Sequence, residues 1–284
     1  MSQTANIQKE VLNSLNFSLT TIPPYNFTDF VEDAVFIKSV FTSSNKSKQN
    51  LVISLNKLRA ILRDNTKIFC SLFHNLIFNF LQILDNENNF SNLPNECFLL
   101  IFDIVKKQKD IKSYYYKDWF IPLFNKLIVI FGFLQETNST NTYIYHYISL
   151  LFNFLINEDK KNINYFIMCF DKQKLILQKT SAFLFFENLN KFNRDDFKQV
   201  DWELLFNRCN YVINEKDAEK FVNDDLKNEI RKRKEICQQI FKQLLIVFDE
   251  KHVSIYRICG DLEKESLKPF HEITGYDISN FSNL

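Results

Sequence analysis

The sequence predicts an all-α fold of stacked antiparallel helix pairs, and three observations predict it. The 284 residues contain only three glycines, Gly132, Gly260 and Gly275. Glycine supplies the positive backbone angles of hairpin turns, so this scarcity argues against a turn-rich β protein. Apolar side chains recur at three- and four-residue spacing along almost the whole chain, the period of a helix with one buried face. Short polar breaks separate these runs, and short connections force neighbouring helices to run antiparallel. The apolar fraction of 46% provides enough buried surface to offset the entropy of ordering the chain.

The elements follow in order. A short helix is expected around Ile7 to Leu15, ended by "TIPPYN", because consecutive prolines cannot continue a helix. A second helix starts near Thr28 or Asp29, either of which can cap it, and carries Val31, Ala34, Val35 and Phe41. After the polar "TSSNKSKQN" comes "QNLVISLNKLRAILRDN", with Leu51, Leu55, Leu58 and Leu62 in one stripe and Ile61 beside it. Asp64 and Asn65 stop this helix, and Thr66 can cap the next, "KIFCSLFHNLIFNFLQIL", read as a single helix of more than four turns. "SNLPNECFLLIFDIV" and "KDWFIPLFNKLIVIFGFLQ" form the next pair, the second kinked or restarted at Pro122. "NTYIYHYISLLFNFLIN" and "INYFIMCF" follow, then "KLILQKTSAFLFFENL" and "DDFKQVDWELLFNRCNYVIN", the last opened by Asp195 and Asp196 at the positive end of its dipole.

Three helices of matching character are centred near Leu58, Ile101 and Ile148, a separation of about 45 residues that lies within the period of HEAT and armadillo arrays. On this spacing the chain resembles an armadillo- or HEAT-type α-solenoid over residues 28–213. "LNKLRAILRDN" is faintly similar to the helix ends of ataxin-10-type armadillo proteins. Residues 1–27 are then an N-terminal short helix and linker. Residues 214–259 supply capping helices, in one long helix or two with a break near Asn223, and residues 260–284, with weak periodicity, form a loosely structured tail.

Composition excludes several functions. A net charge of +1, with only seven Arg among 35 basic residues, creates no field favouring nucleic acid and few groups suited to bidentate phosphate recognition. The six cysteines lie apart in apolar stretches, without Cys-x-x-Cys or a short Cys/His cluster. They read as small buried hydrophobes in a reducing compartment, cytoplasm or nucleus. The opening "MSQTANIQKE" carries no signal-peptide pattern. The apolar stretch 143–156 includes His146 and Asn153 and falls short of the ~20 residues that span a bilayer. No phosphate-cradle or nucleophile-elbow motif is present, and isolated glycines cannot build one. His74 and His146 sit in apolar helices as core histidines rather than ligands, and no cofactor, metal or small-molecule ligand is expected.

The remaining candidates are surfaces. "KSYYYKDWF" holds Tyr114, Tyr115, Tyr116 and Trp119, residue types enriched at binding hot spots; the competing reading seals a junction between helix pairs. "RKRK", Arg231, Lys232, Arg233 and Lys234, is a basic block that could meet phosphate or serve nuclear import, or simply form a solvated face. The expected function is a non-enzymatic protein–protein interaction scaffold or adaptor, a subunit of a larger complex. One alternative is a binder of tubulin or nucleic acid through turn lysines, Lys46, Lys48, Lys67, Lys106, Lys107, Lys109, Lys160 and Lys161. The other is a helical enzyme whose Cys and His meet only in space.

Overall fold

The computed structural model describes residues 22–43, 47–85, 93–111, 116–137, 143–215, 224–255, 258, 262 and 264–276. Among them the fold is all-α, with no strand. The helices are α1 (Phe30–Thr42), α2 (Lys48–Asp64), α3 (Thr66–His74), α4 (Ile77–Leu84), α5 (Asn95–Lys106), α6 (Gln108–Ile111), α7 (Tyr116–Glu136), α8 (Tyr143–Glu158), α9 (Asn164–Ile167), α10 (Leu175–Leu189), α11 (Trp202–Ile213), α12 (Asp224–Glu250) and α13 (Lys264–Thr274). Short 3-10 turns occupy Phe27–Asp29, Lys160–Ile163 and Asp196–Gln199. The helix expected around Ile7 to Leu15 lies outside the described residues. The chain divides into two compact units, Met1–Phe152 and Asn153–Leu284.

In unit 1, α2 is the hub. Its stripe of Leu51, Leu55, Leu58, Ile61 and Leu62 is buried, and the helix packs on α1, α3 and α5. Asn65 both ends α2 and caps α3, its side-chain oxygen accepting from the Ile68 amide at 3.1 Å. Thr66, expected as that cap, is instead the first residue of α3, and its hydroxyl donates back to the Leu62 carbonyl at 3.2 Å.

The run expected as one helix over 66–84 is two, bent by 71° between α3 and α4. Asn75 donates its side-chain amide to the Ser71 carbonyl and its backbone amide to Leu72, a local alternative to the helix ladder that ends α3. Both halves still point inward: Phe69, Phe73, Phe80 and Leu84 are buried, α3 against α2 and α6, α4 against α1 and α7. α7 runs unbroken through Pro122. Stacked rings tie α8 to its neighbours, Phe98 with Tyr147 and Phe131 with Tyr145.

In unit 2, α12 packs on α10, α11 and α13, while α11 also packs on α9 and α13. Two aromatic clusters fill the seams: Phe206, Phe241 and Phe270, and Phe197, Trp202 and Phe248. Asp195 and Asp196, expected to open α11, lead instead into the 3-10 turn, since Val200 is extended and interrupts the helix. Asp201 caps α11, accepting from the Leu204 amide at 2.9 Å. Within 260–284, expected to be loosely structured, α13 packs on α11 and α12 through the fully buried Phe270.

Candidate functional site

In unit 2, α10 and α12 lie side by side and point the same way. Near the start of α10 the Gln178 side-chain amide donates to the carbonyl of Arg233, the tenth residue of α12, at 3.3 Å; beyond the ends of both helices the Lys251 ammonium donates to the Asn190 carbonyl. Between them runs a groove of about 400 Å³. Its floor is apolar, with Ala182, Phe186 and Ile240 buried.

The walls follow from how each helix is covered. From Leu177 to Leu189 every residue of α10 is buried except Lys179, Phe183 and Glu187, which are four residues apart and so form one row on one face. α12 is covered on one side only: Ile230, Cys237, Ile240, Phe241, Leu244, Val247 and Phe248 face inward. Its opposite wall carries Ile236, Gln239 and Gln243, with Ile246 one turn further on. Phe183 is 45% exposed and Ile246 is 56% exposed, a large cost for apolar side chains that nothing among the described residues of unit 2 covers.

A polar knot holds the two walls in register. The turn after α9 presents the carbonyls of Phe170 and Asp171. Gln178 of α10 donates to the first at 2.7 Å, and Arg233 of α12 donates to the second at 3.0 Å. The Asp171 carboxylate accepts from Arg208 of α11, and Arg233 also reaches Glu215 at 3.5 Å. Buried polar groups need partners, and here the partners come from three helices at once. A second groove, about 350 Å³, lies in unit 1 beneath the linker Ile22–Asn26. Tyr25 donates there to Asp33, which also pairs with Lys57 at 2.6 Å.

The residues singled out from sequence are divided by the fold. Tyr114 and Tyr115 lie outside the described residues, and of Tyr116 only the backbone, as the first residue of α7, is described. Trp119 is 1% exposed and packs on Phe69 and Phe73, with ring centroids 6.1 and 4.9 Å away. It belongs to the core of unit 1 and offers no surface. In the basic block, Arg231 pairs with Glu235 and Lys232 is exposed; Arg233 is buried in the knot and Lys234 is half-buried. None of the four lines the groove between α10 and α12. Of the turn lysines, Lys107 pairs with Asp110, while Lys106 and Lys160 sit over the rings of Phe102 and Phe192.

Burial pushes the thiols up, Cys70 and Cys169 to about 11, and Cys209 well above its ordinary range. This is opposite to the shift that activates a nucleophile. Among the described residues no group of three or more His, Cys, Asp or Glu is placed to hold a metal ion. The stretch Trp119–Glu136 is long and apolar enough to cross a membrane, and 56% of it is buried within the protein. Lys179, Phe183, Glu187, Gln239, Gln243 and Ile246 drew no notice in the sequence. The signal was the four-residue row on α10, readable only once the rest of that helix is known to be buried. Comparison with models of protein families, with curated proteins and with solved structures finds no match to this chain.

Proposed function

We propose that the chain is a non-enzymatic scaffold or adaptor of armadillo/HEAT-type α-solenoid architecture, which binds a protein partner within a larger complex. One observation carries this reading. If the bent α3/α4 pair counts as one helix and α6 as the lead-in to α7, the principal contacts within each unit join helices one or two places apart in the chain. Thus α2 lies on α5 and α4 on α7; α10 lies on α12 and α11 on α13. Such nearest-neighbour stacking is the principle of a solenoid, and it leaves ridges between successive helices open for docking. The groove between α10 and α12 is such a ridge. The five described cysteines are buried and form no disulfide, which favours a cytoplasmic or nuclear location, where thiols stay reduced.

The test is affinity capture from the native cell, followed by reconstitution of the captured protein with the purified full-length chain. A stoichiometric binary complex that survives gel filtration is expected. Failure of every captured protein to bind the purified chain directly would overturn the reading.

A further inference from the structure

α13 is a weak helix held by one strong contact. It has 11 residues, below the ~12–15 at which an isolated helix is even marginal in water, and Pro269 stands inside it. Proline has no N–H to give the Glu265 carbonyl and crowds the turn before it. Its helicity therefore depends on docking. Leu267, Phe270 and Ile273, at three-residue spacing, face inward, while Glu265, Lys268, His271 and Glu272 are exposed. Of the inward three, Leu267 and Ile273 are half-buried and only Phe270 is fully buried, its ring 5.3 Å from those of both Phe206 and Phe241.

The surface beneath is built without α13. Phe206 of α11 stacks directly on Phe241 of α12, at 5.3 Å and 27°, and further along the same seam Trp202 meets Phe248 at 5.2 Å. With α13 lifted away, α11 and α12 stay joined and an apolar cleft floored by Phe206 and Phe241 is left.

The polar fit of α13 to this cleft is incomplete. Asn210 of α11 is only 9% exposed; its side-chain amide donates to the Ser266 carbonyl at 2.6 Å, while its Oδ1 is shielded from solvent and accepts from no described residue. A buried acceptor without a donor is costly. Asn210 is thus aimed at the docked helix and only half satisfied by it.

We propose that α13 is a latch: it occupies in cis a helix-binding cleft between α11 and α12, opens while the rest of unit 2 stays folded, and is displaced by an amphipathic helix of a partner protein. The partner's helix repeats the apolar spacing of Leu267, Phe270 and Ile273 and adds what α13 does not supply, an amide or hydroxyl donor for Asn210 Oδ1. The inference rests on the scaffold reading and deepens it, naming a surface, the chemistry of its partner and a means of regulation. The cleft accepts a partner only for the fraction of time that α13 is out of it.

The experiment uses the purified full-length chain. Native-state hydrogen exchange read by mass spectrometry should show the amides of α13 exchanging about a hundredfold or more faster than those of α11 and α12, at a rate that low denaturant barely changes, as local opening requires. Pro269→Ala, which restores the missing N–H, should slow that exchange about tenfold or more. A labelled peptide of residues 264–276 should bind Phe270→Ala, whose latch has lost its anchor, about tenfold or more tightly than it binds wild type. Helices displayed on Phe270→Ala with fixed Leu-x-x-Phe-x-x-Ile spacing should be enriched in Ser, Thr, Asn or Gln beside the Phe, and adding Asn210→Leu should abolish that enrichment.

Exchange of α13 only through global unfolding overturns the proposal. So does loss of the whole of unit 2 in Phe270→Ala, checked by circular dichroism, which would make α13 part of the core. A peptide that fails to bind, or binds both forms equally, removes the cleft as a helix site, and enrichment indifferent to Asn210→Leu removes the assigned chemistry. Wild-type dimers dissolved by the peptide would make the occupant the α13 of a second copy. A captured native partner that binds wild type and Pro269→Ala equally well removes this cleft as its site and leaves the scaffold reading intact.

Discussion

Units 1 and 2 each contain a pair of helices two places apart in the chain that lie against each other, and the two seams are built from opposite chemistry. Between α2 and α5 lies the buried ion pair of Arg59 with Asp103 at 2.7 Å, on a helix whose Leu55, Leu58 and Leu62 are all buried. The space left there is about 150 Å³. Between α10 and α12 the fixed points are Gln178 and Arg233, and the seam stays open along about 400 Å³. Leucines along a seam draw two helices together, because closing it removes apolar surface from water. A row of Lys179, Phe183 and Glu187 cannot be closed over without burying two charges, so polar bonds, Gln178 to Arg233 toward one end and Lys251 to Asn190 at the other, must set the spacing.

If unit 1 is held chiefly by aromatic packing, removing its largest fully buried side chain should cost more than any polar deletion in unit 2. Trp119→Ala is expected to destabilise unit 1 by about 3–5 kcal/mol, the loss for truncating a buried Trp. Hydrogen exchange read by mass spectrometry should show faster exchange across α3, α4 and α7, with α10–α12 unchanged. Equal loss of protection in both units would break the comparison.

Arg233→Met tests the other side. It removes the bond to the Asp171 carbonyl at 3.0 Å and leaves Glu215 without this cation. The expected cost is about 1.5–3 kcal/mol, the range for a hydrogen bond to a charged group, read by denaturant unfolding and by exchange at the turn after α9. Groove-dependent binding should weaken with it, since the walls lose their register. A variant as stable as wild type would mean that packing, not the knot, spaces α10 and α12.

How much of this was legible follows from how many sides of each helix are covered. α2 is buried all round only from Leu58 to Leu62, while Val52, Ile53, Asn56 and Lys57 stay at least partly exposed, so its stripe is visible as spacing and its helical assignment stands. α10 is covered on nearly all sides, and from Leu177 to Leu189 its periodicity shows no face; the open row of Lys179, Phe183 and Glu187 is defined by what surrounds it, which the sequence does not list. "RKRK" illustrates a second limit. Consecutive helical positions turn by about 100° each, so the block was bound to be split, with Lys232 outward and Arg233 inward. The bend at Asn75 was written in the chain, but in a side chain's choice of partner rather than in the apolar pattern. α13 escaped notice because it is short and carries Pro269 inside it, a residue that argues against a helix from sequence, although Leu267, Phe270 and Ile273 keep helical spacing.

Two carboxylates of unit 1 sharpen the comparison through pH. The Arg63 guanidinium holds the Asp64 carboxyl down at about 2, helped by the Tyr25 amide at 2.7 Å. Its stabilisation is present above the unfolded value near 4 and is lost as pH falls through the folded value. Both side chains are partly exposed, so screening limits this to about 1 kcal/mol. Asp103 has the opposite sign: burial raises its carboxyl, which Arg59 only partly offsets. Its contribution is present at low pH and lost as pH rises through the raised value. Asp64→Asn should therefore flatten the loss of stability between about pH 4 and pH 2, while Asp103→Asn should flatten a fall on the alkaline side of pH 4. Thermal unfolding across pH 2 to 7 checks both, and identical slopes for the two variants would refute the assignment.

The smallest effect is expected where α12 ends. The amides of His252 and Val253 donate to Asp249 and Phe248, both at 2.9 Å, the paired bonds of a helix end whose next residue turns left-handed. That residue is His252, with φ of 51°, whereas the equivalent position after α13 is Gly275, with φ of 69°. A side chain in this region carries a steric cost of about 1–2 kcal/mol that glycine avoids, partly returned because glycine makes the unfolded chain more flexible. His252→Gly should thus stabilise unit 2 by about 0.5–1 kcal/mol, visible as a small rise in the melting midpoint. Gly275→Ala should destabilise α13 by a similar amount. If His252→Gly destabilised instead, the imidazole would be making a contact at the end of α12 worth more than the strain of its left-handed backbone.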